Sequence, residues 1–165
     1  MKKRRVVLDT TYLLPSLGIS VKEIGEEDIR GIMKHGSEAE YLYPSPLLAE
    51  LLAKVAKEAS KRGITGLPAE ACDGLRALLA GLTVTVETPT IDSLILAAEL
   101  WIRGHRDIMD NVAYAHALKT KAYFMTLDET LKKFLAEKGY PTSIIINHKE
   151  LRNVFSRKER ESGPP

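Results

Sequence analysis

Near the start of the chain lies the stretch Arg5-Val6-Val7-Leu8-Asp9. Its run of β-branched and apolar residues predicts a short buried strand that ends at Asp9. Further strands are predicted downstream at 83–86, 122–125 and 143–146, and a brief extended piece at 41–43 is stopped by Pro44. The chain therefore returns repeatedly to short strands of the same kind.

Stretches with helical signals separate these strands. Thr90 and Asp107 are suited to cap the N-termini of helices, and Gly63 is suited to end one. Helices are predicted at 26–34, 47–61, 68–79, 91–102, 108–119 and 130–138. Helices that alternate with apolar strands predict a three-layer α/β/α sandwich around a central parallel sheet. We expect one domain over residues 1–155 and a polar, frayed tail over 156–165.

Composition bounds the class of protein. A chain of 165 residues with 44% hydrophobic and 28% charged residues is typical of one globular domain. Cys72 is the single cysteine, which excludes an intrachain disulfide and a cysteine-rich metal site. No apolar run is long enough for a membrane span, and Asp9 interrupts the N-terminal apolar run that a signal peptide would need. These features predict a cytoplasmic protein without a membrane partner, and a net charge of +2 leaves nucleic-acid binding open.

Two aspartates stand where predicted strands end. Asp9 follows the first strand, and Asp128 comes shortly after the strand at 122–125. Because open parallel sheets gather their sites at the carboxyl ends of the strands, both carboxylates are candidate site residues. The simpler interpretation of each, taken alone, is that it caps the next helix.

Two further acids lie within predicted helices. The helix of Asp110 is apolar nearly all round, where a carboxylate is costly unless it is paired, hydrogen-bonded or bound to a metal. Alternatively, Asp110 occupies the first turn after a cap at Asp107, where the helix dipole favours negative charge. Glu50 lies on the polar side of its helix, and a solvated ion pair with Lys54 is the simplest interpretation of it.

Histidine and tryptophan residues add little to the candidate set. The four histidines are scattered, and nothing in the sequence places two of them at ligand spacing: His35, His105, His116 and His148. We expect His116 to be a core histidine, because it lies within an apolar helix. Trp101, between Leu100 and Ile102, is predicted to belong to the core rather than to stack on bases.

Together, the acidic motifs stand in an order that resembles the PIN-domain nuclease family. The motifs are Asp9, Pro46-Leu47-Leu48-Ala49-Glu50-Leu51, Asp107-Ile108-Met109-Asp110-Asn111-Val112-Ala113-Tyr114-Ala115 and Thr126-Leu127-Asp128. The similarity spans about residues 4–147. Each motif is short and degenerate, so the match depends on all four occurring in the right order and on the right kinds of element.

The resemblance implies a site and an activity. It implies that Asp9, Glu50, Asp110 and Asp128 converge on one pocket and bind Mg²⁺ or Mn²⁺, which prefer oxygen ligands. Thr10 and Thr126 fall where such proteins often place a supporting hydroxyl, and Asp107 is a weaker metal candidate. The implied reaction is in-line hydrolysis of single-stranded RNA without a protein nucleophile.

Short single-domain members of this family resemble VapC-type toxins of toxin–antitoxin pairs. That resemblance implies an antitoxin partner and a homodimer. Two alternatives stay open, namely an RNA-processing nuclease without a toxin role and a non-catalytic PIN-like scaffold that binds RNA or protein.

Overall fold

Five strands form one sheet in the computed structural model, which describes residues 3–156. The strands are β1 Arg4–Leu8, β2 Ala39–Pro44, β3 Val84–Glu87, β4 Tyr123–Met125 and β5 Ile145–Ile146. Their order is β3-β2-β1-β4-β5, and every pairing between them is parallel. The predicted central parallel sheet is therefore confirmed.

Helices cover both faces of this sheet. They are α1 Glu26–Lys34, α2 Leu47–Lys61, α3 Ala69–Leu79, α4 Ile91–Ile102, α5 Ile108–Lys119, α6 Glu129–Glu137 and α7 Leu151–Ser156. The chain adds β2 and then β3 on one side of β1. It later adds β4 and then β5 on the other side. Right-handed crossovers then place the helices of the two halves on opposite faces, so the α/β/α sandwich is confirmed.

Local sequence signals account for the helix boundaries. The Thr90 hydroxyl accepts a hydrogen bond from the backbone N–H of Ser93 at 3.2 Å, as expected of the cap of α4. The predicted bounds of α1, α2 and α4 are those observed. Helix α7 was not predicted, although Asn147 caps the turn that leads into it by accepting from the backbone N–H groups of Lys149 and Glu150. Apart from Ser156, which ends α7, the predicted tail lies outside the described residues.

The core lies where the central strands meet α5. Val6, Leu42 and Phe124 have no exposed surface, and in α5 residues 111–117 are buried without interruption. A helix that is apolar nearly all round, as this one is, needs protein on every side. The buried position predicted for His116 is confirmed, since its side chain is 1% exposed.

Helix α4, by contrast, leaves an apolar face uncovered. We call the following residues the α4 face: Ile91, Leu94, Ile95, Ala98, Trp101 and Ile102. Trp101 was predicted to be core, which is wrong: it is 38% exposed, and the Arg106 guanidinium lies 5.3 Å from its ring centroid. The local pattern Leu-Trp-Ile does not indicate which side of this helix is buried and which is exposed. Among the described helices, none has the length and hydropathy needed to cross a membrane.

Candidate metal centre

The carboxyl ends of β1 and β4 bring Asp9 and Thr126 together. The two strands are neighbours, and the backbone N–H of Asp9 donates to the carbonyl of Met125 at 3.0 Å. The Thr126 hydroxyl donates to Asp9 Oδ2 at 2.8 Å. Burial raises the pKa of Asp9, opposed by the Thr126 hydrogen bond and by the charge of Lys54. The fold thus buries the Asp9 carboxyl group, and its ionised form is stabilised by the Thr126 hydroxyl and by the charge of Lys54.

Thr10 fixes the orientation of Glu50. The Thr10 side chain is fully buried, and its hydroxyl donates to Glu50 Oε2 at 2.7 Å. The other oxygen, Oε1, lies 2.7 Å from Lys54 Nζ, one turn further along α2. Glu50 therefore forms the ion pair with Lys54 that its sequence context predicted, and it also contacts Thr10, which follows Asp9 at the end of β1.

The first turn of α5 supplies Asp110. Asp107 caps this helix: its Oδ1 accepts from the backbone N–H groups of Met109 at 3.0 Å and Asp110 at 3.1 Å. Asp107 is exposed, and Asp110 is half-buried. Asp107 therefore serves the helix end, as its sequence context predicted, while Asp110 turns towards the other acids.

Asp128 both caps a helix and joins the cluster. Its Oδ1 accepts from the backbone N–H groups of Thr130 at 2.8 Å and Leu131 at 3.0 Å, at the start of α6. Its own N–H donates to the Thr126 hydroxyl at 3.0 Å. Because Thr126 also bonds Asp9, one hydroxyl links the two strand-end aspartates.

His105 joins these acids, although the sequence analysis did not select it. It follows Gly104, whose φ of +117° lies in the region that favours glycine and lets the chain turn sharply between α4 and α5. One ligand atom each from His105, Asp110 and Asp128 lies within 4.8 Å of the others. We call these three residues the ligand triad. His105 had no local sequence signal, because only the fold places a loop residue beside an acid of the next helix.

The electrostatics of the site favour a bound cation. Burial, and then the charges of Asp9, Asp107 and Asp128, raise the pKa of Asp110 to about 8. Burial lowers the pKa of Lys54, but its bond to Glu50 and the charges of Asp9 and Asp110 outweigh this and raise the pKa overall. Oxygen and imidazole donors that gather around crowded carboxylates form a donor set that fits a divalent cation.

The structure thus places only two of the four predicted acids in the ligand triad. Asp110 and Asp128 belong to the ligand triad, while Asp9 and Glu50 lie beside it and are held by Thr126 and Thr10. We use the name acidic cluster for Asp9, Glu50, Asp110 and Asp128. Asp107 stands at its margin as the cap of α5.

Comparisons with known proteins identify the fold. No protein-family model matches the sequence, and no curated protein is significantly similar to it. Among solved structures, VapBC2 from Rickettsia felis, bound to a fragment of its promoter DNA, aligns with a TM-score of 0.59 and 15% identity, over 87% of this chain and 98% of that chain.

Two further solved structures give the same result. VapC20 from Mycobacterium tuberculosis, a toxin that cleaves the sarcin-ricin loop, aligns with a TM-score of 0.54 and 16% identity, over 83% of this chain and 97% of that one. PAE2754 from Pyrobaculum aerophilum aligns with a TM-score of 0.58 and 16% identity, over 91% of this chain and 95% of that one. The chain therefore has the α/β/α fold of VapC-type PIN structures.

Proposed function

We propose that this chain is a metal-dependent ribonuclease that hydrolyses phosphodiester bonds of single-stranded RNA. The observation that carries the proposal is the convergence of the ligand triad, with Asp9 beside it, at the carboxyl edge of the sheet. Sites of parallel α/β folds lie at this edge, next to the point where the strand order reverses.

The ligand triad and the acids beside it can supply the groups that a metal-dependent nuclease site needs. His105, Asp110 and Asp128 would hold the cation, and Asp9 and Glu50 would add negative charge beside it. When bound, a divalent cation supplies positive charge that offsets these carboxylates and the charge that develops on the phosphate. Thr126 and Thr10 orient Asp9 and Glu50 through hydrogen bonds of 2.8 and 2.7 Å, so the acids are positioned before substrate arrives.

Cleavage of a mixed set of single-stranded RNAs tests the proposal. We expect cleavage with Mn²⁺ or Mg²⁺, none with excess chelator, and a loss of at least about 100-fold in Asp110→Asn. Asp73→Asn, an exposed aspartate paired with Arg76 at 2.7 Å, is the matched control and should retain full activity. Metal-independent cleavage, or full activity in Asp110→Asn, would overturn the proposal. Folded, metal-binding protein that cleaves no RNA would favour the non-catalytic scaffold.

A toxin role with an antitoxin partner extends this proposal. It is supported by the similarity to the VapBC2 and VapC20 structures and by an apolar groove beside α1. The groove has a volume of about 680 Å³, and its lining includes Leu13, Ile19, Val21, Ile24 and Ile29. An apolar segment of a partner protein suits such a lining.

Growth of a bacterial host separates a toxin from an RNA-processing nuclease. We expect expression of the wild-type chain in the cytoplasm to arrest growth and expression of Asp110→Asn to leave it unchanged. The cognate antitoxin, when co-expressed, should relieve the arrest. Active nuclease that leaves growth unchanged would favour the RNA-processing alternative.

We also propose that the chain forms a homodimer through the α4 face. Ile91 is 71% exposed and Ile102 is 78% exposed at the two ends of this apolar stripe. In an antiparallel pair of α4 helices, Asp92 of one copy would lie near Arg103 of the other, so the two ends would be complementary in charge. Ile95→Glu should give a monomer in analytical ultracentrifugation, whereas Leu82→Glu, at a still more exposed apolar residue away from α4, should not. A dimer that survives Ile95→Glu would contradict this interface.

A further inference from the structure

The His105 side chain is held in one orientation by Asn111. Asn111 has no exposed surface, and its Nδ2 donates to the backbone carbonyl of His105 at 2.9 Å. That bond turns the amide so that its oxygen, Oδ1, faces His105 Nδ1 at 2.7 Å. Since the amide oxygen can only accept, Nδ1 must carry the hydrogen in this bond.

This hydrogen bond determines which nitrogen is available to a ligand. With the hydrogen on Nδ1, a neutral His105 carries its free lone pair on Nε2. The Phe134 ring lies 5.2 Å from the imidazole, centroid to centroid, and restricts its movement further. A histidine whose tautomer and orientation are fixed through its other nitrogen is the arrangement that metal-ligating histidines require.

We propose that His105 makes this centre selective for a transition-metal dication over Mg²⁺, and that Asn111 is its positioning residue. The proposal rests on the metal centre of the proposed function and narrows the range of cations that this centre prefers. The ligand triad offers one imidazole nitrogen with two carboxylates. Mg²⁺ binds oxygen ligands and retains water, whereas imidazole is a good ligand for transition-metal ions, increasingly so along the series from Mn²⁺ to Co²⁺ and Ni²⁺.

Calorimetric titration of the whole chain with Co²⁺, Mn²⁺ and Mg²⁺ tests the proposal by binding rather than by activity. The wild type should bind Co²⁺ at least about tenfold more tightly than Mn²⁺ and Mg²⁺, following the order of imidazole-containing sites. In His105→Gln, an amide oxygen replaces the nitrogen, and Co²⁺ affinity should fall about 10- to 100-fold while Mg²⁺ affinity stays within about twofold. Equal losses for Co²⁺ and Mg²⁺, or no loss for either, would overturn the proposal.

His35→Gln is the matched control. His35 is also half-buried and pairs with Glu38 at 4.0 Å, away from the acidic cluster, so this variant should leave all three affinities unchanged. The absorption spectrum of bound Co²⁺ adds a readout that a merely structural role would not move: the d–d bands should shift in His105→Gln and not in His35→Gln. Identical Co²⁺ spectra in the wild type and His105→Gln would also overturn the proposal.

Asn111→Leu tests the positioning role. It removes the acceptor for Nδ1–H at similar volume, so the preference for Co²⁺ over Mg²⁺ should fall about 10-fold, whereas Asn111→Asp keeps an acceptor and should retain more of it. An unchanged preference in a folded Asn111→Leu protein would exclude the assigned role of Asn111. Failure of this inference can be distinguished from failure of the proposed function. RNA cleavage with unaltered selectivity in His105→Gln refutes only this inference, whereas selective binding without cleavage refutes only the nuclease.

Discussion

The two ends of α5 hold buried and half-buried ionisable groups under opposite electrostatic conditions. Near its C-terminus, His116 Nε2 lies 3.0 Å from Glu87 Oε2, and Arg5 Nη2 lies 2.7 Å from both oxygens of Glu87. We call these three residues the balanced cluster. At the N-terminal end, Asp110 meets Asp9 and Asp128, and the nearby Lys54 is paired with Glu50.

This difference is the one expected between a cluster that only stabilises the fold and a cluster that serves the proposed metal site. In the balanced cluster the Arg5 guanidinium lies against Glu87 and also 3.6 Å from the more exposed Glu40, so the chain supplies a counter-charge of its own. In the acidic cluster the carboxylates outnumber the nearby ammonium group, and burial together with Asp9, Asp107 and Asp128 raises the pKa of Asp110 to about 8. Folding retains this unfavourable arrangement, which is typical of a site whose missing charge comes from a ligand.

The largest expected effect on stability comes from the balanced cluster. Arg5→Met should lower the free energy of unfolding by about 3 kcal/mol, because it leaves the Glu87 carboxylate partly buried without its cation. Arg30→Met is the control, since Arg30 and Glu26 form an exposed pair at 3.2 Å and should contribute less than about 1 kcal/mol. Urea denaturation measures both. Equal losses of stability in Arg5→Met and Arg30→Met would mean that the Arg5–Glu87 ion pair contributes no more than an exposed ion pair does.

The acidic cluster should respond in the opposite direction. In metal-free protein at about pH 8, Asp110→Asn should raise the free energy of unfolding by about 2 kcal/mol, because a neutral amide relieves the repulsion among the carboxylates. The same change should abolish RNA cleavage. Asp73→Asn should alter stability by less than about 0.5 kcal/mol. Destabilisation by Asp110→Asn in the absence of metal would contradict the contrast between the two clusters.

The pH dependence of stability has a defined sign. Asp110 has an ordinary pKa of 3.8 and a folded-state pKa of about 8, so between these values the folded protein binds a proton that the unfolded chain has released. The free energy of unfolding contributed by this group therefore falls as pH rises from about 4 to 8 and is constant above. Urea denaturation across this range should show a shallower decline in Asp110→Asn. A decline equally steep in both proteins would exclude Asp110 as its source.

A smaller effect is expected from the ammonium group beside the acids. Lys54→Met should lower the free energy of unfolding by about 1 kcal/mol at pH 8, because Glu50 and Asp9 lose a nearby positive charge; the Lys54 side chain is 40% exposed, and solvent limits the effect. Lys133→Met is the control. The exposed Lys133 side chain lies 4.0 Å from Glu137, so this substitution should have almost no effect on stability. Lys54→Met that is neutral or stabilising would show that the acids do not depend on this charge.

The fold was predictable because its signals are local. Caps such as Thr90 and Asp107 and apolar runs such as 5–8 mark the elements, and their alternation implies a parallel sheet. The strand order was not predicted, because it depends on pairing between distant segments. The exposure of Trp101 was missed for a related reason: α4 and α5 are both apolar nearly all round, and only tertiary packing determines which one is covered.

The candidate site was predictable from the order of its acids but not from any single one. Asp128 is both a helix cap and a member of the ligand triad, and Glu50 is both a Lys54 partner and a neighbour of Thr10. A local pattern therefore supports the simpler interpretation and the functional one equally. His105 had no local signal, because its link to Asn111 becomes visible only when the loop before α5 is folded.

The most direct test of the central claim is the melting temperature at about pH 8 with Mn²⁺ and with excess chelator. Because a ligand that binds only the folded state stabilises it, Mn²⁺ at about 100 times its dissociation constant should raise the wild-type melting temperature by about 5–10 °C. Asp110→Asn should melt at a higher temperature than the wild type in chelator and should gain little from Mn²⁺. A wild-type melting temperature that Mn²⁺ leaves unchanged would contradict the claim that the acidic cluster takes its missing charge from a metal ion.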